Sequence, residues 1–197
     1  IEEIVTLSKN LLSFEENLFK NRKRLSEIYN LFLVARDTAR LAALATRLTD
    51  DFGVQVEVLP ADLTDEADVT RVVRRLQEDT RITLLLNNAG MSVNGEFLAA
   101  DIASITTMLA LNITAPTRLA HAAGNSFRVR GQGTIINVAS VLALMHERSN
   151  GAYNASKSFV LTLTRALERE LQPEGVRVQA VLPGLTRTEI LTRSGGS

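Results

Sequence analysis

The sequence predicts an α/β protein, a doubly wound parallel sheet carrying an atypical helical segment at its N-terminus. Two observations carry this. From Asn30 onward, short apolar runs alternate with amphipathic stretches, which is how a parallel sheet covered by helices reads in sequence. Ahead of Asn30 the pattern changes to a heptad repeat, and no glycine occurs before Gly53.

Residues 1–29 read as one amphipathic helical segment, because Ile4, Leu7, Leu11, Phe14, Leu18, Asn21, Leu25 and Ile28 fall on a single a/d register. Such a helix either packs on its own domain or binds a partner, and Ser13 with Glu16 could divide it through a capping box. Residues 30–197 form the core. Residues 31–35 are a continuous apolar run suited to a strand buried on both faces, and Leu41, Leu44, Ala45, Leu48 and Phe52 then recur at helical spacing up to Gly53, a C-cap position. Val54, Val56 and Val58 alternate with Gln55 and Glu57 as a strand. A helix carrying Val69, Val72, Val73 and Leu76 follows. Three further strands are predicted over 82–86, 134–138 and 176–181, with helices over 102–127 and 153–171 and no internal repeat.

Composition excludes several classes of function. Lys plus Arg and Asp plus Glu number 22 each, so no overall field draws the chain to nucleic acid or an acidic membrane. There is no cysteine, which removes disulfides, thiolate catalysis and Cys-based zinc sites. His121 and His146 lack the spacing of ligands on one helix, so no metal site is expected. No apolar run reaches the roughly 18 residues of a membrane span and no basic-then-apolar leader opens the chain. A cytoplasmic protein is the expectation. The first residue is Ile1 rather than Met, as in a chain that has been processed, trimmed or joined to another.

The polar residues gather at strand ends. Tyr153 and Lys157 stand four apart at the start of a predicted helix, one turn apart on one face. Ser140 follows the strand 134–138, Asn87, Asn88, Ala89 and Gly90 close the strand 82–86, and Pro183 and Gly184 follow 176–181. The carboxyl ends of strands in an open parallel sheet are where ligands bind. Taken together, these segments resemble the short-chain dehydrogenase/reductase family over roughly residues 30–190. The resemblance rests on NNAG at Asn87 to Gly90, on Ser140 with YNASK from Tyr153 to Lys157, and on PGLTRT from Pro183 to Thr188. Asn112 in LNIT matches the family's fourth catalytic position, and Asp62 in ADLT matches the acidic residue that approaches the adenine ring.

What the resemblance implies is a Rossmann-like fold and an oxidoreductase that reduces a carbonyl or oxidises an alcohol by hydride transfer, acting on a small molecule. Tyr153 would be the proton donor or acceptor. A phenol titrates near ~10, and the ammonium of Lys157 is expected to lower that value. In the family the lysine also bonds the nicotinamide ribose, Ser140 donates to the substrate oxygen, and Asn112 holds a water in a proton relay. Cofactor contacts are expected from Arg36, Asp62, Leu63, Asn88, Ala89, Gly90, Tyr153, Lys157, Pro183, Gly184, Thr186 and Thr188. Arg36, first in the turn after the strand 31–35, favours the extra phosphate of NADP over NAD, and Asp37 reads as a helix N-terminal residue rather than a ribose ligand. Residue by residue, plainer readings stay open: Asn112 as a helix-bending polar residue, Asp62 as a helix cap. Family members pair through the helices that here span 102–127 and 153–171, so a homodimer or homotetramer is expected.

Both ends depart from type. The family opens with a strand and a TGxxxGxG turn whose amides hold the pyrophosphate, and residues 1–29 replace both with the heptad segment. Ile4, Val5 and Thr6 could imitate the end of that strand, but Leu7, Ser8, Lys9 and Asn10 bring bulky side chains where a phosphate needs bare backbone. The C-terminus is also short, ending at SGGS after Thr188. Beside the oxidoreductase stand two other readings, a catalytically impaired relative acting as a binding or assembly module and a partner-binding helix fused to a dehydrogenase fragment. Each charge-assisted hydrogen bond lost at the pyrophosphate costs roughly 1.5–3 kcal/mol, so fluorescence titration of this chain with NADPH is expected to show weak, non-saturating binding. Micromolar affinity would show that residues 7–10 make a phosphate site after all.

Overall fold

A computed structural model describes residues 2–7, 29–145 and 150–184 of the chain. Among them six parallel strands form one sheet: β1 Glu2–Leu7, β2 Tyr29–Ala35, β3 Val56–Pro60, β4 Ile82–Asn87, β5 Gly133–Val138 and β6 Val176–Val181. Their order is β3-β2-β1-β4-β5-β6. Five α-helices connect them: α1 Thr38–Phe52, α2 Glu66–Glu78, α3 Ile102–Leu109, α4 Ala115–Arg130 and α5 Gly151–Leu171.

The helix expected over residues 1–29 is corrected at its start. Residues 2–7 are a strand, inserted between β2 and β4 with Leu7 level with Val34 on one side and Asn87 on the other. The physical reason is tertiary. β2 and β4 both lie inside the sheet, and a strand between them supplies the backbone partners that their inner edges require. The heptad from residue 8 to 28 lies outside the described residues.

Elsewhere the strands form where the apolar runs place them. Leu31, Phe32, Leu33, Val34 and Ala35 are all buried because helices cover both faces of β2. Leu31, Leu33, Ala35 and Leu84 pack against Leu41, Leu44 and Leu48 of α1 on one face. Phe32, Val34, Leu85 and Ile135 pack on the other against Val69, Val72 and Leu76 of α2, Leu119 and Phe127 of α4 and Leu171 of α5. The helices start where carboxylates cap them. Asp37 accepts from the Arg40 amide at 3.0 Å and Asp65 from the Asp68 amide at 2.9 Å, which fits Asp37 being a helix N-terminal residue. Gly53 ends α1 in the left-handed region, φ 67°.

One close approach fixes the seam between α4 and β5. Gly133 opens β5 at φ 154°, and a Cβ there would fall on the ring of Phe127, which is fully buried. Gly133→Ala is expected to destabilise the fold by about 2–3 kcal/mol in urea denaturation. Gly53→Ala, with open space around the position, is expected to cost only about 1 kcal/mol. Equal losses at the two positions would contradict this packing.

Candidate active site

The parallel order sends every strand's carboxyl end to one edge of the sheet, with the reversal of strand order between β1 and β4 at its middle. Ser140 lies two residues past β5. It caps the short 3-10 turn Val141–Leu144, its Oγ accepting from the Leu142 amide at 3.2 Å. The amide of Ala139 donates to Val181 O at 2.8 Å and that of Val141 to Pro183 O at 3.1 Å, which ties the turn after β6, with Pro183 and Gly184, to Ser140.

α5 brings the other two groups. Its N-cap, Asn150, takes the left-handed conformation at φ 67°, and Tyr153 and Lys157 follow on one face. Lys157 Nζ donates to Val138 O at 2.9 Å and lies 5.9 Å from the centroid of the Tyr153 ring. Ser140 lies close enough to the Tyr153 side chain to favour its phenolate. Three residues from two segments therefore meet at the end of β5.

Burial dominates the electrostatics here. It pushes the Tyr153 phenol above its ordinary value of 10.0, and the nearby Ser140 takes back only part. It also pushes Lys157 down from 10.5 to about 8. The expectation that Lys157 lowers the phenol is thus not met in this structure. The amine is directed at the Val138 carbonyl, and removal of the phenol from water is the largest influence on it.

Asn112 sits in a π-helical turn, Ala110–Thr114, between α3 and α4. Its Oδ1 accepts from the Met91 amide at 2.9 Å, and Nδ2 donates to Met91 O at 2.8 Å and to Ser156 Oγ at 3.1 Å. Ser156 Oγ in turn donates to Tyr153 O at 2.7 Å. Both amide protons of Asn112 are committed to joining the β4 loop to α5. Gly90 makes room for the join: a Cβ there would stand 3.2 Å from Lys157 Nζ and 3.4 Å from Asn112 Oδ1.

Arg36, Asp62, Leu63 and Ala89 line a separate cavity of about 470 Å³ at the same edge, beside β2 and β3. Arg36 Nη1 pairs with Asp62 Oδ2 at 3.3 Å, the arginine exposed and the carboxylate half-buried, so the pair contributes little stability. Burial raises the Asp62 carboxyl, but hydrogen bonds from Thr64 and the Arg36 cation outweigh it and leave it below the ordinary carboxylate value. Asp62 caps its own turn through Thr64, whereas the N-cap of α2 is Asp65. The half-buried loop of Asn88, Ala89 and Gly90 lies between this cavity and Lys157, touching both sides. Thr186 and Thr188 lie outside the described residues. Sequence reasoning missed Arg40, Met91 and Thr107 on the cavity wall. Arg40 had a legible signal, one helical turn beyond Arg36. Thr107 had none.

The buried amine has a consequence for stability. With its pKa depressed from 10.5 to about 8, Lys157 binds fewer protons in the folded than in the unfolded chain between those values. The penalty for burying its charge is present in full below about 8 and is relieved as pH rises toward 10.5. The stability of the chain relative to Lys157→Met is therefore expected to increase across that interval in urea denaturation, and a flat difference would contradict the burial.

A family model of short chain dehydrogenases matches residues 22–195. An uncharacterized oxidoreductase of Staphylococcus saprophyticus is 32% identical over 159 residues, which are 80% of this chain and 68% of that protein. Among solved structures, a short-chain dehydrogenase from Sphingobium yanoikuyae in complex with NADPH is 43% identical, with a TM-score of 0.90 over 99% of this chain and 75% of its own. The bulky-bulky ketone specific alcohol dehydrogenase from Comamonas testosteroni is 40% identical, with a TM-score of 0.86 over 95% of this chain and 74% of its own. Match length, identity and fold agree with the motifs at the sheet edge, and the chain belongs to the short-chain dehydrogenase family.

Proposed function

We propose that the chain supports NADP-dependent interconversion of a small-molecule carbonyl and alcohol, with Tyr153 giving or taking the proton. The observation that carries this is the meeting of Ser140, Tyr153 and Lys157 at the end of β5, next to a cavity whose lining includes Arg36 and Arg40, paired with Asp62 and Asp37. When bound, the nicotinamide supplies the hydride. The developing oxyanion on the substrate needs a positioned acid, and a phenol kept protonated by burial is one. Ser140 stands beside that phenol, able to donate to the same oxygen. Lys157, near 8, holds a proton at neutral pH with which to steady the phenolate and a ribose hydroxyl. Asn112 positions the β4 loop against α5.

The residues present fit the adenosine half of the cofactor. Apolar walls suit a purine, and Arg36 and Arg40 on the rim suit a phosphate on the ribose. The Sphingobium relative solved with NADPH supports the same choice. The pyrophosphate belongs where β1 ends, at Leu7. Among the described residues no helix is long and apolar enough to cross a membrane. We also propose that the chain assembles as a homodimer or homotetramer, because Phe97, Leu98, Ile102 and Phe159 leave an apolar surface exposed near α3 and on α5.

At matched NADPH concentration, Tyr153→Phe is expected to remove nearly all carbonyl reduction with the fold intact. A variant keeping more than about a tenth of turnover, under ~1.4 kcal/mol of transition-state stabilisation, would count against the assignment. Arg36→Gln should lower the preference for NADPH over NADH in the same assay, and an unchanged ratio would remove the phosphate contact from Arg36. Sedimentation should show a species larger than the 21.5 kDa chain, and monomer alone at high concentration would refute the assembly.

A further inference from the structure

A chain of buried side-chain hydrogen bonds runs beneath the site without touching it. Asn87 ends β4 and Asn137 sits at the matching position on β5, the two paired across the strands. Asn87 Nδ2 donates to Asn137 Oδ1 at 2.8 Å, Asn137 Nδ2 donates to Thr164 Oγ1 at 3.0 Å, and Thr164 Oγ1 donates to Val160 O at 2.6 Å. All three side chains are buried, with Asn137 and Thr164 each only 2% exposed. Burying amides in an otherwise apolar layer is costly unless they find partners; both polar ends of Asn137 and the hydroxyl of Thr164 do, while Asn87 Oδ1 is left without one among the described residues, so the bonds through Asn137 favour one relative placement of β4, β5 and α5.

That placement matters one residue further along β5 and two turns back along α5. Val138, directly after Asn137, carries the carbonyl that accepts from Lys157 Nζ. Thr164 lies two turns beyond Lys157 on the same helix, on the same face. An apolar contact at these positions would let α5 slide along β5, whereas the Asn137–Thr164 bond has a single register. We propose that Asn87, Asn137 and Thr164 form a clamp that sets α5 against the end of β5, making Asn137 and Thr164 positioning residues for Lys157. The groups found facing Lys157 among the described residues are Val138 O from β5, the Tyr153 ring from its own helix, and Gly90 from the β4 loop. No carboxylate is among these groups, so the state of the amine reports how tightly it is enclosed.

The inference rests on the proposed role of Lys157 but is read without turnover, so its failure is distinct from retention of activity in Tyr153→Phe. The chain holds four lysines, Lys9, Lys20, Lys23 and Lys157. In protein labelled with 13C-lysine, the Cε resonance of Lys157 is assigned by its absence in Lys157→Met and followed with pH. Thr164→Val keeps the shape and removes the hydroxyl. It is expected to move the titration of Lys157 upward by about one unit as water reaches the loosened amine. Thr164→Ser, which restores the hydroxyl, should titrate as the parent does. A purely structural Thr164 would lower the melting temperature in Thr164→Val and leave the titration of Lys157 unmoved, and that result overturns the proposal. Should Thr164→Val not fold, Asn87→Ala releases the other arm from Asn137 without altering α5 and must shift Lys157 in the same direction. An unchanged titration there overturns the proposal equally.

Discussion

Six strands hydrogen-bonded in parallel must all end on the same side, and the site depends on that constraint. β2, β4, β5 and β6 each hand a turn to one edge: Arg36 after β2, Asn88 to Gly90 after β4, Ser140 after β5 and Pro183 after β6. β1 is the pivot, since its insertion between β2 and β4 creates the place where strand order reverses. Right-handed crossovers then put α1 on one face and α2, α4 and α5 on the other. α5 thereby lies under the end of β5, the one position from which Lys157 can reach the Val138 carbonyl.

The electrostatics follow from that burial. An amine and a phenol placed under strand ends lose water, and both are driven toward their neutral forms. Neutrality suits the phenol in the proton-donating role proposed for it. For the amine it is a tension, met by a carbonyl within hydrogen-bond distance and by the glycine at position 90, whose missing Cβ leaves space for Nζ. The cavity beside Arg36 works differently. Its ion pairs lie near solvent, where they contribute little stability.

Much of this was legible in the sequence because buried parallel strands leave unbroken apolar runs and the capping residues are local. The run 31–35, the helix period from Leu41 to Leu48, the cap at Asp37 and the stop at Gly53 depend only on neighbours a few positions away, and the structure places them as read. The motif residues Ser140, Tyr153 and Lys157 were legible as a set through their order along the chain. The segment at residues 2–7 was misread because its heptad spacing is a local signal, while its strand conformation comes from β2 and β4, whose sequence positions are remote.

The sequence by itself therefore determined the order of strands and helices from residue 30 onward, the family and the residue types at the sheet edge, since each is written in spacing along the chain. Tertiary structure alone decided which groups touch. That Asn112 spends its amide on Met91 and Ser156, that the amine of Lys157 turns to Val138, and that Asn137 reaches Thr164 across 27 positions are contacts between segments with no shared period. No pattern along the chain encodes them, because they follow from which helix lies on which strand, and that is set by the sheet as a whole.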